Sequence, residues 1–279
     1  MPGLYDAAER LSERGQKWFK RGTLAALVLL VVASVLGLIA EPWAGWLSAL
    51  AFGGSIVLTG LTVFRKAEDD WYDGRALGES VKTLTWKYAV GGEPFARSEN
   101  EPTSAYERML GGVVEELRTL RSAFDPPREP DDLSPLTKFR GAGLGDRQAV
   151  YREQRLQGQR KWYSERGSEH RRTARAWQAA AGVLQAAGVA AGALKGLDVV
   201  DLDLLSVFAA AAAAALAWFA AGDYRKTARA YALTTLELDR TLEAAERIQS
   251  EDDWARFVAD AEQTMSREHT TWLARRRGL

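Results

Sequence analysis

The side chains that usually carry enzymatic chemistry are scarce in this 279-residue chain. It has no cysteine and only two histidines, His170 and His269. Without thiols there are no disulfides, no Cys-ligated zinc, no iron–sulfur clusters and no thiol nucleophiles. Glu165, Glu169 and His170 can share a helix face, but arginines surround them, and the pattern fits ion pairs along a helix better than an acid–base set. Glu268-His269 stands alone near a basic end. There is no HExxH motif, and Gly91-Gly92 and Gly141–Gly145 match neither a P-loop nor a dinucleotide loop. Asp69-Asp70 and Asp252-Asp253 sit where helix caps belong. The residues predict no catalytic set, no metal and no cofactor, and hence no enzyme.

What remains is the chemistry of polar groups in apolar surroundings. Gln178 and Gln185 lie seven apart in an Ala-rich stretch, on one helical face. Such a face either lines a pore in an assembly or hydrogen-bonds between helices. Ser34 and Ser206 are lesser members of the same class. Asp198, Asp201 and Asp203 form either an acidic ring at an outer mouth or a solvated turn.

The elements that must hold these residues follow from charge segregation. The chain has 37 basic and 37 acidic residues, which argues against a polybasic nucleic-acid binder. Yet residues 23–64 contain only Glu41, and residues 176–222 contain only Lys195, Asp198, Asp201 and Asp203. The first block divides at Glu41-Pro42 into two apolar stretches, each close to the ~20 residues that cross a hydrocarbon core. Residues 23–40 hold six Leu, four Val and one Ile, which favour insertion by roughly 3 to 6 kcal/mol. Trp43 and Trp46 stand where an interfacial aromatic belt belongs. The run is longer than a signal-peptide core, has no obvious cleavage site and leads at once into a second span, so it reads as a retained anchor.

The second block is mostly Ala and Gly. Its first half gains only about 1 to 2 kcal/mol from its large apolar residues, before two Gln count against it. Such a helix needs neighbours. Gly188 and Gly192 have the GxxxG spacing that permits close backbone approach, between copies or within one hairpin. The expected spans are about 23–40, 43–64, 176–194 and 204–222, with the second hairpin as the inner layer of an assembly. Lys17, Lys20, Arg21, Arg65 and Lys66 flank the first hairpin. Arg171, Arg172, Arg175, Arg225, Lys226 and Arg229 flank the second. The positive-inside rule then predicts a multi-pass inner-membrane protein with both termini cytoplasmic.

The halves repeat one pattern. Gly15-Gln16-Lys17-Trp18 leads into the first hairpin and Gly158-Gln159-Arg160-Lys161-Trp162 into the second; Phe64-Arg65-Lys66 and Tyr224-Arg225-Lys226 lead out. A same-sense repeat marks a duplicated unit. The expectation is an all-α chain with a first unit at 1–124, a Pro/Gly linker at 125–147 and a second unit at 148–279. Cytoplasmic helices are expected at 65–90, 106–124, 223–249 and 252–277. Tyr224, Ala228, Tyr231, Thr235, Leu238, Leu242, Ala245 and Gln249 form a heptad-like stripe, suited to an intramolecular bundle or to an intersubunit coiled coil.

Trp71, Arg75, Glu79-Ser80, Lys82, Trp86 and Tyr88, following a two-span hairpin, resemble the SLATT domains, the SMODS- and SLOG-associating two-transmembrane effectors. Tyr151, Arg155, Gln159, Trp162-Tyr163, Glu262, Glu268-His269 and Trp272 resemble a second subfamily of that group. The resemblance covers nearly the whole chain. It implies a membrane effector of bacterial anti-phage or self-killing systems that oligomerises into a pore, triggered by a nucleotidyltransferase or nucleotide-sensing partner. The alternative is a non-conducting membrane scaffold that docks a signalling enzyme. The partners implied are the lipid bilayer, further copies of the chain and that signalling protein, with no nucleic acid.

Overall fold

The computed structural model describes residues 3–64, 67–120 and 132–276, with side chains described at 3–64, 68–115 and 132–266. Among them the chain is helical, with no strand: α1 (Gly3–Leu36), α2 (Pro42–Phe64), α3 (Ala67–Val90), α4 (Pro102–Leu120), α5 (Ser134–Arg140), α6 (Leu144–Val150), a π-helical turn (Tyr151–Gln157), α7 (Gly158–Gly196), α8 (Leu204–Ala221), α9 (Tyr224–Ala245) and α10 (Glu251–Arg276). Local chemistry sets several boundaries. Pro42 opens α2 at a position where its missing N–H costs nothing. Ser250 caps α10: its hydroxyl accepts from the Asp253 N–H at 3.1 Å. Gly91, at φ +77°, ends α3, and the Gly92 N–H reaches back to the Lys87 carbonyl at 2.8 Å.

The chain divides into two compact units. The first comprises Met1–Arg14, Asp69–Glu165 and Ala230–Leu279. One of its cores gathers Val90, Tyr151, Leu156, Tyr163, Tyr231, Leu238, Trp254 and Val258. A second joins Leu4, Ala7 and Ala8 of α1 to Leu77 and Val81 of α3. Helices α1 and α3 approach closely at Gly74, where a Cβ would lie 2.5 Å from the Ser12 nitrogen. The α9 stripe faces inward: Tyr231, Leu238 and Ala245 are core residues of the chain itself.

The second unit, Gly15–Glu68 and Arg166–Arg229, holds the two hairpins. Three stretches, in α1, in α2 and in α8, are long and apolar enough to cross a membrane. The α2 residues Trp46, Leu50, Ile56, Val63 and Phe64 are all exposed. Exposed Trp43 and Phe64 stand about 32 Å apart along α2, matching a hydrocarbon core of roughly 30 Å.

Two differences from the sequence expectation stand out. Residues 134–147, read as linker, carry α5 and α6. Pro135 sits in the first turn of α5, where proline is tolerated, and Arg140 and Arg147 turn inward. Helix α9 stops at Ala245 rather than 249 because Ser250 starts α10. Arg65, Lys66, linker residues 125–131 and the side chains of Glu268, His269 and Trp272 lie outside the described set.

Candidate functional site

The family-like positions of the two halves meet within the first unit. Helix α3 runs antiparallel to the π-turn and the start of α7. The Arg75 guanidinium lies 5.6 Å from the Trp162 ring centre. Lys82 Nζ donates to Gln159 Oε1 at 3.5 Å. Trp86 packs edge-on against Tyr151 at 5.8 Å. On α3 these residues step by seven and four, and on the opposite strand of helix by three and eight, so each set keeps to one face.

At the centre, Glu262 of α10 is fully buried. Its Oε1 accepts from Arg155 Nε at 2.8 Å and from the Tyr151 hydroxyl at 3.0 Å. Its Oε2 accepts from Arg155 Nη2 at 2.6 Å and from the Thr83 hydroxyl at 2.9 Å. A carboxylate with four donors has its acceptor sites filled and works as a structural pin. Burial pushes the Arg155 pKa down, but the charge and hydrogen bonds of Glu262 outweigh it and hold it above its ordinary value. Burial, and then Glu262, raise the Tyr151 phenol well above its usual range. Burial lowers Lys82, and Arg155 and Arg75 lower it further against the opposing pull of Glu79 and Glu262.

A second cluster caps α3. Arg147 Nη1 and Trp254 Nε1 both donate to the Val90 carbonyl, at 2.6 and 2.9 Å. Arg140 donates to the carbonyls of Tyr88 and Ala96, each at 2.9 Å. Two guanidinium groups thus meet the negative end of a helix. Sequence reasoning missed both arginines. The available signal was their place in a weakly apolar segment close to the second half.

In the second unit, Gln178 and Gln185 are exposed on α7. Ala174, Ala181, Gly188 and Ala191 form its buried face. Gly188 and Gly192 lie against α8 of the same hairpin: a Cβ on Gly188 would meet Phe208 Cβ at 3.3 Å, and one on Gly192 would meet Leu205 Cδ2 at 3.4 Å. Asp198 takes φ 54° and ends α7, with the Val199 N–H bonded to the Leu194 carbonyl at 3.0 Å. Asp203 pairs with Lys195 at 3.6 Å, and Asp201 is exposed. The structure therefore gives Asp198 a turn-forming backbone and Asp203 an ion pair. Ser206 bonds the Asp203 carbonyl at 2.8 Å. Ser34 lines a cleft of about 720 Å³ with Leu27, Ser48, Phe52, Ala213 and Ala217. His170 lies 5.6 Å from the Tyr224 ring, and Arg166 pairs with Glu169 at 2.9 Å. Among the described residues no three His, Asp or Glu side chains gather as a metal site.

Two family models match the chain: SMODS and SLOG-associating 2TM effector domain 3 over residues 2–148, and SMODS and SLOG-associating 2TM effector domain 1 over residues 151–272. No curated protein and no solved structure matches it. The junction between the two matches falls at the start of the π-turn, so the pairs between α3 and the π-turn join one matched domain to the other. The chain belongs to the SMODS and SLOG-associating two-transmembrane effector family, with a domain 3 unit followed by a domain 1 unit.

Proposed function

We propose that this protein is a membrane effector of a bacterial anti-phage or conflict system. Its two hairpins cross the inner membrane four times, with α7 as the weakest span and both termini cytoplasmic. Copies assemble with α7 innermost, and the Gln178–Gln185 face lines a pore or channel. A nucleotidyltransferase or nucleotide-sensing partner triggers it, and the open pore dissipates the membrane potential. The family description as effector domains supports the class.

The observation that carries the reading is the pair of amides. Gln178 and Gln185 share an exposed stripe of α7, directly beside the stripe of Ala174, Ala181 and Gly188 that packs in the unit. Amides facing lipid would lack hydrogen-bond partners, and a wet lumen supplies them. The test is to induce the protein together with its signalling partner and follow membrane potential. Collapse of the potential supports the reading. Unchanged potential with full expression and retained recruitment of the partner favours a non-conducting scaffold.

A further inference from the structure

Residues 144–196 form one unbroken helix whose only irregular part is the π-turn. Inside that turn Tyr151, Arg155 and Leu156 are all buried. In an α-helix, at 100° per residue, Leu156 would point about 140° away from Tyr151. With about 4.4 residues per π-turn, both Arg155 and Leu156 fall within about 50° of it. The turn therefore acts as one inserted residue that brings two adjacent side chains to the same buried face.

Its buried polar restraint comes from another helix. Glu262 on α10 binds Arg155 twice and Tyr151 once. That restraint is incomplete, because the buried Arg155 Nη1 has no hydrogen-bond partner.

We propose that the π-turn is a register switch held by Glu262, and that withdrawal of Glu262 lets residues 151–157 relax to α-helix. The relaxation turns α7 by about 100° and shifts it by about 1.5 Å relative to α6, one α-helical residue. Gln178 and Gln185 lie on α7, so their azimuth turns with it. The proposal rests on the membrane-effector reading only for this consequence.

The test reads distance, not conduction, so the two readings fail separately. The chain has no native cysteine, so spin labels go only on Ala149→Cys and Glu165→Cys, both exposed and on either side of the turn. In the full-length protein, Glu262→Gln should lengthen the label separation by roughly 4 Å. Deleting Gln154, an exposed residue of the turn, puts Tyr151, Arg155 and Leu156 at α-helical spacing. In that background Glu262→Gln should leave the parental distance. A parental distance in folded Glu262→Gln, or lengthening that persists without Gln154, overturns the proposal. Should Glu262→Gln not fold, Tyr151→Phe, which removes one hydrogen bond, must show the longer distance as a second population; a single parental population overturns it.

Discussion

Arg155 and Glu262, 107 residues apart, form a buried pair joined by two hydrogen bonds of 2.8 and 2.6 Å. The arginine belongs to the segment after the junction of the two family matches. Through Thr83, the glutamate also binds the segment before it. One carboxylate therefore ties together α3, the π-turn and α10.

Truncating one member leaves the other charged and buried. Arg155→Met should destabilise the first unit by about 3–5 kcal/mol. Adding Glu262→Met should recover most of that loss, because an apolar pair of similar volume replaces the ion pair. Thermal unfolding of the detergent-solubilised protein measures both. A double variant no more stable than Arg155→Met would show that the site needs the charges themselves.

Lys82 gives a pH signature. Burial lowers its pKa in the folded chain, so the unfolded chain binds more protons between the folded value and the ordinary lysine value. Stability contributed by this group therefore rises as pH climbs through that window, and the penalty is fully present below it. Lys82→Met should raise the melting temperature at neutral pH and remove that rise. Melting curves from pH 7 to 10 on both proteins give the comparison.

The α1–α3 crossing depends on the absence of a side chain. A Cβ at Gly74 would press on backbone atoms of Ser12 and Ala8 at 2.5 and 2.8 Å, which cannot yield as a flexible side chain would. Gly74→Val should cost about 1–3 kcal/mol or more through overpacking. Gly111→Ala is the control, since nothing lies within 4 Å of its added Cβ. Limited proteolysis should cleave the first variant faster than the second.

The second hairpin offers a parallel case. Gly188→Leu places a branched side chain against Phe208 and Leu205 and should separate α7 from α8. Crosslinking between cysteines introduced at Trp177 and Trp218, whose rings meet across the hairpin at 6.4 Å, should fall several-fold relative to the same pair on the parental background.

Legibility followed the range of the interactions. The hairpins could be read because an apolar span records its surroundings in composition, and residues 23–64 carry a single charge. The inward stripe of α9 could be read because helical periodicity is local. Its partner could not, and a bundle and a coiled coil stayed equally open until Trp254 and Val258 supplied the facing wall. Arg140 and Arg147 could not be read. Pro- and Gly-rich surroundings look like linker, and the carbonyls they cap lie some 50 residues earlier, at Tyr88 and Val90. The π-turn was hidden for the same reason, since Glu262 lies more than 100 residues away. Asp198 was legible as part of an outer turn or acidic mouth, but its left-handed backbone at φ 54° was not, because charge does not record conformation.

The most direct test of the central claim is water access to α7 in the membrane. The chain has no native cysteine, so Gln178→Cys and Gln185→Cys can be probed singly in cells with a membrane-impermeant thiol reagent, with Val57→Cys on the exposed apolar face of α2 as the lipid-facing control. The account predicts that both α7 positions react once the signalling partner is active, that the reaction blocks loss of membrane potential, and that Val57→Cys stays unmodified. Unreactive cysteines at 178 and 185 under full activation would contradict it.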